Sequence, residues 1–134
     1  MNSPPKKILL AEDDASMRNF LSLVLKRAGF EVSTAEDGLA AMELALANDF
    51  DAVVADDVMP NMTGHDLCRM LRGNEKTSQM PFIILSGREE AFAGESVGEN
   101  AGKLANAQLL KTVNLKDELV DVLSELLQPA LTSA

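Results

Sequence analysis

The chain contains no tryptophan and no tyrosine, one cysteine and one histidine. With Cys68 as the sole cysteine, no internal disulfide can form, and a reducing compartment fits. Cys68 lies among Leu67, Met70 and Leu71, where a free thiol acts as a small packing residue. His65 opens a helical segment beside an acid, with no partner cluster around it, and is expected to be exposed. Cations are scarce: 12 Lys and Arg stand against 21 Asp and Glu, a net charge of -9. A surface that cannot replace phosphate counterions argues against direct contact with nucleic acid. No apolar run approaches the ~20 residues of a membrane-spanning helix, and Met1–Lys7 does not lead into the apolar stretch of a signal peptide. These absences point to a cytoplasmic protein with no membrane partner.

What remains is ordinary globular material, 46% hydrophobic and 25% charged over 134 residues. That length suits one domain over residues 1–134, its core near 7–127 with loose ends. The organising stretch is Asp51–Gly64. Its apolar run Ala52–Ala55 is too short for a helix and reads as a buried strand ending in Asp56 and Asp57. Pro60 and Gly64 break the chain before the amphipathic segment Asp66–Arg72. Further strands are expected at Ile8–Ala11, Phe30–Ala35, Pro81–Leu85 and Ala107–Leu110. Between them lie helical patterns. Asp14 caps one whose apolar residues are Met17, Leu21, Val24, Leu25 and Ala28, ended by Gly29. Asp37 caps Leu39–Ala47, with Leu39, Met42 and Leu46 on one face. Met17, Met42 and Met70 read as core filler. The glycine-rich segment Arg88–Gly102 gives only a weak helical signal. Asn114 caps the last helix, which carries Leu115, Leu119, Val122, Leu123 and Leu126 on one stripe. Five strands alternating with five helical segments imply right-handed crossovers and a parallel sheet covered on both faces. The fold expected is an α/β doubly wound, flavodoxin-like sandwich of order 2-1-3-4-5.

That order brings Glu12, Asp13 and Asp56 to one edge, with Ser86 and Lys111 at the ends of the next two strands. Three carboxylates held together repel unless a proton or cation relieves them. Oxygen-only ligands suit Mg²⁺. A carboxylate beside Mg²⁺ can attack a phosphoryl donor, and Lys111 and Ser86 can meet the charge that grows on the phosphoryl oxygens.

The order of motifs resembles the receiver domain of two-component response regulators from Lys7 to Leu127. The matching residues are Glu12-Asp13, Arg18, Asp56-x-x-Met59-Pro60-x-Met62-x-Gly64, Ser86 and Lys111. The resemblance implies a phosphorelay protein that accepts a phosphoryl group on Asp56 from a histidine kinase or phosphotransfer protein and switches a face read by a downstream protein. It implies Asp13 as a direct Mg²⁺ ligand, Glu12 as a ligand through water, and the Val58 carbonyl completing a metal site that includes Asp56. Ser86 becomes the switch hydroxyl and Lys111 the phosphate-binding lysine. The protein would be no enzyme beyond its own phosphorylation and dephosphorylation. Asp57 is turned the other way by strand alternation, and Asp14 serves as a cap.

Two positions depart from the family. Thr112 follows Lys111 where proline is usual, and Gln108 stands where an aromatic is usual, so aromatic rotation cannot accompany the switch in its usual form. Activation is then expected as an ordering of Arg88–Gly102, with Arg88 approaching the phosphoryl group or remaining in solvent. The alternative is a degenerate receiver acting as a phosphorylation-independent interaction module. A haloacid-dehalogenase-type phosphatase would need an acid where Val58 stands. A flavin carrier would need a hydroxyl- and glycine-rich loop where Glu12-Asp13-Asp14 stands.

Overall fold

The structure is a computed structural model and describes residues 4–87 and 104–127. The chain runs β1 (Lys7–Ala11), α1 (Ala15–Arg27), β2 (Glu31–Ala35), α2 (Gly38–Ala47), β3 (Ala52–Asp56), α3 (Gly64–Arg72), β4 (Phe82–Ser86), β5 (Ala107–Leu110) and, here labelled α4, Leu115–Leu126. The strands form one parallel sheet in the order β2-β1-β3-β4-β5. Segment Arg88–Gly102, with its weak helix, its proposed ordering and Arg88, lies outside the described residues.

Short apolar runs become central strands because both of their faces can be buried. Leu9, Val53, Ala55 and Ile84 point to the α2–α3 side, whereas Ile8, Leu10, Val54 and Ile83 point to the α1–α4 side. Each large aliphatic side chain buried this way contributes roughly 1.5–3 kcal/mol, which fixes register strongly in β1, β3 and β4. Among the described residues no helix is long and apolar enough to cross a membrane.

The helix ends follow local chemistry. Asp14 accepts from the Met17 amide at 2.8 Å, and Asp37 from the Ala40 amide at 2.8 Å. Gly29 adopts φ +100°, letting its amide and that of Phe30 return to the Lys26 and Leu25 carbonyls. That is the left-handed helix stop for which glycine has no steric penalty.

Four local expectations are corrected. In α2 the packing face is Gly38, Ala41 and Ala45, while Leu39 is 51% and Leu46 40% exposed. The helix lies so close to the loop before α3 that a methyl group on Gly38 would sit 2.8 Å from Met62 Cβ, which leaves space for small residues only. Helix α3 begins at Gly64, two residues earlier than expected, because Thr63 and Asp66 form a reciprocal capping box. Met70 on this helix is 48% exposed and fills no core, whereas Cys68 is buried and its thiol is pushed up to about 11 by that burial. Asn114 occupies the cap position of α4 without capping it; the Thr112 hydroxyl accepts from the Asn114 amide at 3.2 Å instead.

Candidate functional site

Five sequence-selected side chains arrive at the C-terminal edge of the sheet on four different strands. Glu12 and Asp13 follow β1, Asp56 ends β3, Ser86 ends β4 and Lys111 follows β5. One carboxylate oxygen from each of Glu12, Asp13 and Asp56 lies within 4.8 Å of the others. Lys111 Nζ donates to Asp56 Oδ1 at 2.7 Å and to Glu12 Oε1 at 3.0 Å. The Lys111 amide donates to the Ser86 carbonyl at 2.8 Å, which ties the lysine's main chain to the end of β4. Ser86 itself is buried.

The acidic turn is held from behind. Arg18 on α1 donates through Nη1 to the Glu12 carbonyl at 3.0 Å and the Asp13 carbonyl at 3.5 Å. This contact gives Arg18 a physical role in shaping the turn, one invisible from spacing because its acceptors are main-chain atoms.

Asp57 is buried but stands outside the cluster of acids, as strand alternation requires. His65, expected to be exposed, instead has a side chain only 25% exposed with Nδ1 2.9 Å from Asp57 Oδ1. The missed signal is geometric: the tight loop after β3 folds α3 back onto the strand it leaves. Val58, two residues past Asp56, is 58% exposed. Gln108 pairs in register with Ile84 and is half-buried, and the Lys111–Thr112 peptide is trans.

Burial pushes the Glu12 and Asp56 carboxyls above their ordinary range, and the Lys111 ammonium only partly draws them back. Asp13 and Asp57 add repulsion at Asp56. Burial opposes the charge on Lys111, yet its bonds to Asp56 and Glu12 together hold its pKa above the usual lysine value. A raised acid binds its proton more tightly in the folded state, so its cost to stability is fully present above the raised value and gone below the ordinary 3.8 of Asp or 4.5 of Glu. Lys111 contributes stability that is complete below 10.5 and lost as pH rises through its raised value. In chelator, Asp56→Asn is therefore expected to melt above the wild type at pH 7. The wild type should close that gap as pH falls through the raised value of Asp56 toward its ordinary 3.8. Burial outweighs the 2.7 Å ion pair at Asp56, and Glu12 still holds Lys111 in the variant. A variant less stable at pH 7, with a gap that widens on acidification, would reverse this order of effects.

A doubly wound parallel sheet with an acidic, lysine-bridged cleft where β1 meets β3 defines a flavodoxin-like domain that works at its strand ends. The response regulator receiver domain model matches residues 8–124, and the chain belongs to that family. It is 34% identical over 98 residues to the chemotaxis protein CheY-3 of Vibrio cholerae, covering 70% of this chain and 75% of CheY-3. It is 33% identical over 86 residues to the response regulator ArlR of Staphylococcus saprophyticus, covering 64% of this chain and 38% of ArlR. The chain thus spans about two fifths of the matched ArlR and of MprA from Mycobacterium sp., at 38% and 41%. Among solved structures, Thermotoga maritima TrrA in complex with Mg²⁺-BeF superposes with a TM-score of 0.81 at 27% identity, covering 91% of this chain and 99% of TrrA. Vibrio cholerae CheY4 superposes with a TM-score of 0.80 at 30% identity, covering 92% and 99%.

Proposed function

We propose that this chain accepts a phosphoryl group on Asp56 in a Mg²⁺-dependent step and passes a signal by the change that follows. The observation that carries this reading is the set Glu12, Asp13 and Asp56 within 4.8 Å, with Lys111 Nζ already on Asp56 at 2.7 Å. An all-oxygen donor set whose buried carboxyls are pushed up suits a hard divalent cation. Asp13 and Asp56, Glu12 through water and the Val58 carbonyl would hold Mg²⁺, which when bound supplies positive charge beside the phosphoryl oxygens.

The protein's own groups perform the transfer. The Asp56 carboxylate attacks the phosphorus of a phosphohistidine or acyl phosphate. A new Oδ–P bond forms as the bond to the donor breaks, and the donor leaves with the electron pair. Lys111 moves from the carboxylate to a phosphoryl oxygen, exchanging one charge-assisted bond for another. The Ser86 hydroxyl, at the end of the adjoining strand, donates to a second oxygen. The donor would be a histidine kinase or phosphotransfer protein, and the reader a downstream protein, both met in the cytoplasm. No chemistry beyond the chain's own phosphorylation and dephosphorylation is assigned to it.

The test is incubation with acetyl phosphate, with and without Mg²⁺, read by intact mass. One added phosphoryl group is expected, dependent on Mg²⁺ and absent in Asp56→Asn. Undiminished labelling of Asp56→Asn removes Asp56 as the acceptor. A wild type that never labels would favour the phosphorylation-independent interaction module.

A further inference from the structure

We propose that Arg18 is a positioning residue for the cation site: by bonding to main-chain carbonyls it fixes where the Asp13 carboxylate stands, and so sets the affinity for Mg²⁺. The inference rests on the metal site proposed above. Of the three acids there, Asp13 alone is otherwise unheld. Glu12 is fixed through both carboxylate oxygens, Oε1 by Lys111 at 3.0 Å and Oε2 by the Asp14 amide at 3.2 Å. Asp56 ends β3 and bonds Lys111 at 2.7 Å. Asp13 is exposed, and among the described residues its carboxylate has no hydrogen-bond or ion-pair partner. Its direction therefore follows from its main chain.

That main chain spans the gap between β1 and α1. On the strand side, the Glu12 amide donates to the Ala35 carbonyl at 3.1 Å. On the helix side, regular bonding begins only at the Asp14 carbonyl, which accepts from the Arg18 amide at 2.8 Å. The carbonyls of Glu12 and Asp13 fall between the two. Long side chains on a helix lean toward its N-terminus, so Arg18, four residues after the cap, reaches back over it. Its Nη1 donates to the Glu12 carbonyl at 3.0 Å and, less closely, to the Asp13 carbonyl at 3.5 Å. These carbonyls belong to the two peptide groups that flank the Asp13 Cα. Rotation of either would swing the Asp13 side chain away from Glu12 and Asp56.

Two effects of Arg18 on a bound cation oppose each other. Its positive charge repels Mg²⁺, whereas its hydrogen bonds hold a ligand in place. The guanidinium is half-buried, so water and salt screen part of the repulsion. Groups that orient a metal ligand without touching the metal typically change affinity by roughly 10–100-fold. Positioning should win. Loss of Arg18 should then weaken Mg²⁺ binding, the opposite of what charge alone would do.

The test is calorimetric titration of the full chain with Mg²⁺, with melting curves to verify folding and hydrogen exchange in chelator. Arg18→Met should bind Mg²⁺ on the order of tenfold more weakly. Lys26→Met, which removes an equal charge from the last turn of the same helix, should match the wild type within about twofold. Arg18→Lys, which keeps the charge and a donor for one carbonyl, should recover part of the loss. In an Asp13→Asn background, Arg18→Met should cost little further affinity, because it acts through Asp13. Without metal, Arg18→Met should speed exchange of the Asp14 amide, whose bond to Glu12 depends on the turn. Tighter Mg²⁺ binding in Arg18→Met overturns the proposal and leaves a charge effect. An equal loss in the Asp13→Asn background, or unchanged Asp14 exchange, overturns it in favour of general packing. Wild-type protein that binds no Mg²⁺ fails the metal site itself and this role with it. Wild-type binding with unaltered Arg18→Met fails the positioning role alone.

Discussion

Gly64→Ala is expected to cost about 2–4 kcal/mol of stability and to weaken divalent-cation binding in the same protein. A methyl group there would stand 2.5 Å from the Asp56 carbonyl oxygen and 3.2 Å from its carbon. Those are backbone atoms of the central strand. The next amide, that of Asp57, donates to the Leu85 carbonyl at 2.7 Å, so the strand end cannot slide without breaking the sheet. Helix α3 must retreat instead, losing the bond from the Gly64 amide to the Asp57 carbonyl. The reason for glycine is space, not conformation, which separates this position from Gly29. At Gly29, φ is +100° and nothing lies within 4 Å of an added methyl. Gly29→Ala should therefore cost about 1 kcal/mol by backbone strain alone and leave the site untouched. Urea unfolding gives the two stabilities, and calorimetric titration with Mg²⁺ gives the two affinities. Equal losses in both variants, or full Mg²⁺ affinity in Gly64→Ala, would contradict the close-packing account.

The contrast shows which parts of this molecule can be read from its sequence. The sheet was legible because buried parallel strands are short apolar runs, and Ile8–Ala11, Ala52–Ala55 and Phe82–Leu85 stand out between polar segments. The acidic cleft was legible for a related reason: a doubly wound sheet delivers whatever follows each strand to one edge. Glu12, Asp13, Asp56, Ser86 and Lys111 needed only the strand order to be brought together. The packing face of helix α2 was not legible, although the helix and its Asp37 cap were. The helix is apolar nearly all round, so periodicity could not choose between Leu39 and Leu46 and the alanines that actually face the sheet. Gly64 read as a chain break, although it opens a helix against the strand. Contacts to main-chain carbonyls were equally hidden, because an acceptor that every residue possesses leaves no mark in the sequence. Arg18 is one case, and Arg72 is the more consequential one.

Arg72→Leu is expected to cost about 2–4 kcal/mol and to loosen β5 first. At the end of α3, Arg72 Nε donates to the Leu104 carbonyl at 2.9 Å, and Nη1 to the carbonyls of Met80 at 2.6 Å and Ser78 at 3.3 Å. Nη2 donates to Asn106 Oδ1 at 3.1 Å. Asn106 Oδ1 also accepts from the Phe82 amide at 2.8 Å, and the Asn106 amide donates to the Phe82 carbonyl at 2.8 Å. One half-buried guanidinium thus joins α3, the approach to β4 and the entry to β5. Strand β5 needs such an anchor. Its residues Ala107–Leu110 are only half-buried, against the fully buried β4 beside it, so apolar burial holds it less firmly. Leucine keeps some of the packing but leaves three carbonyls short of a donor. Arg72→Lys should recover little, because a single ammonium cannot serve acceptors spread around a planar fork. Since Lys111 follows β5 directly, the same change should raise hydrogen exchange at Ala107–Leu110 and lower Mg²⁺-dependent phosphoryl uptake without touching an acid of the cluster. Asn106→Ala should give a smaller loss, and the double variant less than the sum, because the two residues share one network. Strict additivity of the two, or unaltered exchange in β5 despite a lower urea midpoint, would show that Arg72 acts locally on α3 and does not hold the strand that presents Lys111.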